Sequence, residues 1–168
     1  MQTHHVTNPD PIVLSSLARL HVSIVDVIEG YEAMVEKAEP SLRPIVEDLL
    51  QLHREHSEEI AHELSDRGAE FDDGGSIQGT LNSTVVSIRA LFTDLDLSAL
   101  SPALDGEERL LKAYDEALAD IGEHELATSR QNGWSADLIA AGNQSALSLR
   151  RQRDQIVGKI SKYRKLIA

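Results

Sequence analysis

IVEDLLQLHREHSEEIAHEL, residues Ile45 to Leu64, decides the fold. Its apolar residues Ile45, Leu49, Leu52, Ile60 and Leu64 recur at helical spacing, which gathers side chains onto one face of a helix turning about 100° per residue. His53 and His56 fall inside that apolar sector, with Glu59 and Glu63 on its flanks. His62 forms a Glu-x-x-His pair with Glu59 but lies on roughly the opposite face. Two inward histidines need other helices to cover them.

The neighbouring sequence supplies those helices. Ser41 is placed to cap the quoted helix, Pro44 is tolerated in its first turn, and Gly68 suits its C-terminal end. A loop follows over Glu70 to Gly75. Upstream, Asp10-Pro11 opens a first helix whose stripe runs Val13, Leu17, Leu20, Ile24, Val27/Ile28, Tyr31, Met34/Val35 and Ala38, ending before Glu39-Pro40. Downstream, Leu81, Val85, Ile88, Leu91, Phe92 and Leu95 predict a short helix over Thr80 to Leu95, and Asp94 to Leu104 reads as a connection.

Asp105 with Glu108 three positions later has the form of a capping box and opens another long helix, with Leu110/Leu111, Tyr114, Ala117/Leu118 and Ile121 on one face. The last helix carries Leu138/Ile139, Gly142, Ala146, Leu149, Ile156, Ile160, Tyr163 and Ile167. Its start has two readings: a break at Asn132-Gly133 before a Ser135 cap, or a helix beginning near Glu125. No stretch alternates with period two, so no sheet is expected. The expectation is an all-α, antiparallel four-helix bundle, with the short Thr80 to Leu95 helix in the crossover between its halves. Residues 1–9 read as a flexible tail and 10–168 as one domain.

Composition narrows the function classes. The 168 residues, 41% of them hydrophobic, suit one core. With 28 acidic against 16 basic residues the formal charge is −12, which repels a phosphate backbone, so no nucleic-acid partner is expected. The basic residues Arg150, Arg151, Arg153, Lys159, Lys162, Arg164 and Lys165 read as a solvated helix end favoured by its dipole. No apolar run approaches the roughly 20 residues that span a bilayer, and Met1 to Asp10 lacks the pattern of a signal peptide. No membrane partner and a cytoplasmic location are expected. The absence of cysteine excludes disulfides, thiolate metal sites and cysteine nucleophiles, leaving His, Asp and Glu as metal ligands. Neither a Gly-rich phosphate loop nor a nucleophile-elbow serine occurs.

Glu29-Gly30-Tyr31 followed by a short-turn helix pair, the Arg67-Gly68 exit, the linker Gly74-Gly75-Ser76-Ile77-Gln78-Gly79, and Gly106-Glu107 ahead of Tyr114 together resemble the PA2169 family of bacterial proteins, domain of unknown function 2383. The similarity covers roughly residues 13 to 122. It implies a ferritin-like four-helix bundle and a bacterial origin, and it brings no activity with it.

Ferritin-like folds often hold two metal ions with a carboxylate from each of two helices and a Glu-x-x-His from each of the others. On the helical wheel the inward polar groups here are Tyr31 on the first helix, His53 and His56 on the second, Glu107, one heptad before Tyr114, and Arg153 on the last helix. The first helix offers no inward carboxylate and the last no Glu-x-x-His. Burying a lone carboxylate costs several kcal/mol, so Glu107 has to be paired, protonated or bound to metal. Arg153 is the partner the sequence offers. The expected site is a buried polar cluster of His53, His56, Glu107, Arg153, Tyr31 and Tyr114, with no cofactor and no catalytic residue.

Two functions follow from these residues. One is a non-enzymatic bundle with a structural or protein-interaction role, working as a homodimer and open to a further, unidentified protein partner. The alternative is a degenerate ferritin-like protein that binds iron, manganese or zinc through His53, His56 and Glu107 for redox or storage chemistry.

Overall fold

Between Pro11 and Arg164 the helical stripes become four α-helices among the described residues: α1, Pro11–Lys37; α2, Arg43–Asp66; α3, Leu100–Asn132; and α4, Ala136–Arg164. The computed structural model describes residues 11–69, 94–132 and 136–168, with the backbone alone over 124–132 and 136–143. The expected tail at 1–9, the Asp10 cap, the loop from Glu70 and most of the Thr80 to Leu95 helix lie outside the described residues. The fold is all-α.

In α1, Val13, Leu17, Leu20, Ile24 and Tyr31 are buried as the stripe requires. The helix stops at Lys37, because a residue preceding proline avoids helical geometry and Pro40 follows closely. The amides of Leu42 and Arg43 then bond back to the Glu39 carbonyl at 3.0 and 2.9 Å, closing a tight turn into α2. Ser41 does not cap α2. The N-cap is Leu42, without a side-chain hydrogen bond, and its side chain is fully buried. Burying Leu42 and bonding the turn to Glu39 take the place of a hydroxyl cap. Pro44 sits in the first turn, where a missing N–H costs nothing.

At the far end of α2, Gly68 adopts a left-handed φ of +82°. Its amide bonds to the Ser65 carbonyl at 2.9 Å, and the Ala69 amide reaches the Leu64 carbonyl at 2.9 Å, the paired bonds of a Schellman motif.

Helix α3 begins earlier than the capping-box reading expects. Asp96 accepts from the Ser98 amide at 2.8 Å and caps a single 3-10 turn, Leu97–Ala99, which runs straight into α3 at Leu100. Pro102 is harmless in a first turn, while Leu100 and Leu104 are almost wholly buried and extend the stripe N-terminally. Asp105 is therefore an exposed residue within the helix. Of the two readings for the last helix, a start near Glu125 is excluded, because α3 runs through Glu125 to Asn132 and α4 is described from Ala136; Gly133 and the Ser135 cap lie outside the described residues.

Side-chain pairs fix the directions. Tyr31 meets Glu107 and Arg19 meets Asp120, so α1 and α3 are antiparallel. Glu32–Arg54 and His21–Ser57 set α1 against α2 in the same sense. Asp48–Lys159 with Glu59–Arg151 make α2 and α4 antiparallel, and Glu108–Arg164 with Tyr114–Gln152 do so for α3 and α4. Helices α2 and α3 consequently run in the same direction. Leu95 bridges Ala38 at the α1–α2 turn, so Leu95 stands at the start of α2 and Ala69 at its end.

Although it holds no long uninterrupted apolar run, α1 is long and apolar enough to cross a membrane by length and composition alone, with an 18-residue window of mean hydropathy 1.6. Counting uninterrupted apolar residues hides this, because Arg19, His21 and Asp26 punctuate the helix. Its apolar face packs here against α2 and α3.

Candidate functional site

Three helices bring one polar group each to the centre of the core: Tyr31 from α1, His53 from α2 and Glu107 from α3. The last two are 0% and 1% exposed. Tyr31 Oη donates to Glu107 Oε1 at 2.5 Å, and His53 Nε2 stands 2.8 Å from the same oxygen. The Tyr31 and His53 rings stack, with centroids 5.7 Å apart and planes 8° from parallel. Burial pushes the Tyr31 hydroxyl far above its ordinary value, helped by the charge of Glu107 and the bond to it. Tyr31 is thus held as a neutral donor.

His56, one turn along α2, meets His53 edge-on and opens a second chain of bonds. Its Nδ1 is 3.2 Å from Tyr114 Oη, and its Nε2 is 2.9 Å from Gln155 Oε1. Tyr114 donates to Gln152 Oε1 at 3.0 Å, and Gln152 Nε2 donates to Glu59 at 2.7 Å. The chain therefore runs from the core to the surface, where Glu59 also receives Arg151. Burial lowers the His56 pKa against the raising effect of its Gln155 bond. Burial also raises Tyr114, with the charges of Glu107 and Glu59 adding to it.

Five of the six residues singled out in the sequence, Tyr31, His53, His56, Glu107 and Tyr114, are brought together. Arg153 is not. It pairs with Asp115 at 2.5 Å on the outer side of α3 and α4, so the expected Glu107 to Arg153 ion pair is replaced by Tyr31 and His53 on Glu107. The stripe of α4 runs Leu149, Gln152, Ile156, and a step of about 100° turns Arg153 outward. Gln152, 0% exposed, occupies the inward position. Its signal in the sequence is its place three residues after Leu149 and four before Ile156.

Other residues fall where the wheel puts them or join the seams. His62 is exposed beside Asp66, Glu63 shares Ser145 with Arg67, and the buried His21 meets Ser57 at 3.0 Å. Asp48 joins α2 to α4 by accepting from Lys159 at 2.5 Å and from Tyr163. His4, His5 and Trp134 lie outside the described residues, as does the side chain of His124.

The donor set does not match a di-metal centre. The cluster holds one carboxylate and two imidazoles, α1 contributes a phenol and α4 an amide, and both nitrogens of His56 face protein partners. Among the described residues, no group of three or more His, Asp or Glu side chains is arranged to hold a metal ion. Among the described residues, two buried side-chain atoms meet no protein partner: His53 Nδ1 and Glu107 Oε2.

The sequence family described as Domain of unknown function (DUF2383) matches residues 12–120, which carry α1, α2 and the part of α3 that supplies Glu107 and Tyr114. The chain belongs to this family. No curated protein and no solved structure matches it. Within the matched DUF2383 segment lie all five residues of the cluster, whereas Gln152 and Gln155, on α4, lie beyond it.

Proposed function

We propose that this DUF2383 chain is a ferritin-like helical bundle of the bacterial cytoplasm. Its role is structural or protein-interacting rather than catalytic, and a hydrogen-bonded polar cluster stands where such folds hold two metals. The parallel α2 and α3, with Ala69 and Leu95 at opposite ends of α2, support the ferritin-like arrangement, in which one connection crosses the length of the bundle. The observation that carries the functional reading is the donor set: Glu107 is the single carboxylate at the centre, and it is engaged by Tyr31 and His53. The exposed Leu147 and Val157 on α4 and Ile12 on α1 are the apolar positions through which a homodimer would pack.

A second reading is favoured by one observation. His53 Nδ1 and Glu107 Oε2 are buried lone pairs, and iron, manganese or zinc takes such nitrogen and oxygen donors. Elemental analysis of tag-free protein, before and after anaerobic addition of iron and manganese, separates the two. The first reading expects no metal to survive a chelator wash. One or more equivalents retained, and lost in Glu107→Ala, would establish the second and displace the first.

A further inference from the structure

Glu59 on the rim of α2 and His56 in the core end one chain of hydrogen bonds, and its direction is set at the Glu59 end. Partial burial disfavours charge on Glu59, but bonds from Gln152 and Arg151 outweigh it and hold the carboxyl below its ordinary value. Ionised, it can only accept. The Gln152 amide must therefore turn its NH2 to Glu59, and its oxygen then faces Tyr114, 3.0 Å away. A phenol has one proton to give. Having given it to Gln152, Tyr114 can only accept from His56 Nδ1. Four side chains on three helices thus leave no choice at the last one.

We infer that Glu59, acting through Gln152 and Tyr114, locks His56 in the Nδ1–H tautomer and turns the lone pair of its Nε2 toward the seam between α2 and α4, where it takes a hydrogen-bond donor. Glu59 and Gln152 are positioning residues for that nitrogen. Burial holds His56 neutral, so only one of its nitrogens carries a hydrogen. Gln155, exposed on α4, stands with its Oε1 2.9 Å from Nε2; the two ends of an amide are interchangeable in shape, and turning this one over presents NH2 as the donor. With its oxygen there instead, His56 would need both protons.

The test is long-range proton–nitrogen NMR of the imidazoles in the full chain at neutral pH, with His56 assigned through His56→Gln. The expected result is a pyrrole-like Nδ1 and a pyridine-like Nε2. In Glu59→Ala and Gln152→Leu the constraint is gone, and the two shifts exchange or average. A pyrrole-like Nε2 in the unaltered chain, or two protonated nitrogens, overturns the inference. So does a His56 pattern that neither variant moves. Glu59 is an exposed side chain, so Glu59→Ala keeps the test open if Gln152→Leu does not fold.

Discussion

Glu107 and His53 meet through one atom each and leave one atom each over: Nε2 lies 2.8 Å from Oε1, while Nδ1 and Oε2 are buried without a protein partner. All the polar engagement of the carboxylate falls on Oε1, which also takes the Tyr31 hydroxyl. Each buried group left unpaired costs about 1–3 kcal/mol. The cluster is therefore weak evidence of stability and stronger evidence of specificity, since each partner tolerates burial only while the others are present.

That mutual dependence is measurable by urea denaturation. Glu107→Leu strands the Tyr31 hydroxyl and the His53 N–H in the core, and a loss of about 3–5 kcal/mol is expected. The triple variant Tyr31→Phe, His53→Leu, Glu107→Leu removes every stranded group and recovers most of that loss. Equal destabilisation of the single and triple variants would show that the three residues do not act as a unit.

Arg153 gives the opposite expectation. A guanidinium that neutralised a buried Glu107 would be costly to remove, whereas one paired with the half-exposed Asp115 is worth at most about 1 kcal/mol. Arg153→Ala should leave the urea midpoint almost where it was. A loss as large as that of Glu107→Leu would return Arg153 to the core.

Acid should loosen the fold through His56 and His21, both neutral by burial. Burial lowers each below its ordinary value of 6.5, so between that value and the lower folded one the unfolded chain binds more protons. The stability these histidines contribute is complete above 6.5 and is lost as pH falls through the folded values. Thermal midpoints measured from neutral to mildly acidic pH should decline below 6.5, less steeply in His21→Gln. Flat midpoints across that range would mean that neither histidine is held neutral.

Much of this arrangement is legible in the sequence, and the exceptions have physical causes. Glu107 reads as inward because it lies one heptad before Tyr114 on a stripe whose neighbours are all apolar. His53 and His56 read inward for the same reason. Arg153 misleads because residues 150–155, RRQRDQ, hold no apolar side chain between Leu149 and Ile156, so the phase over that turn and a half rests on the two flanking residues alone. The spacing from Leu149 and Ile156 admits either Gln152 or Arg153 on the inward face, and packing chooses Gln152. At the start of α3, Ser101-Pro102 looks like a breaker, but a proline in the first turn gives up an amide that no carbonyl awaits. At the start of α2, the burial of Leu42 decides the boundary that Ser41 suggested.

The tyrosines provide the alkaline counterpart. Burial, with the bond to Asp48 and its charge, pushes Tyr163 up to about 12, while Tyr31 and Tyr114 are driven higher by burial and by neighbouring carboxylates. A raised folded value favours the neutral form, so the stability this adds is complete below the ordinary 10.0 and is lost as pH climbs through the folded values. These are the only three tyrosines of the chain. Ultraviolet titration of tyrosinate should therefore show no step at 10.0 in the folded protein, a first step near 12 that Tyr163→Phe removes, and the remaining two only with unfolding. A tyrosinate step at the ordinary value while the far-ultraviolet helical signal persists would mean that at least one of the three hydroxyls is open to solvent.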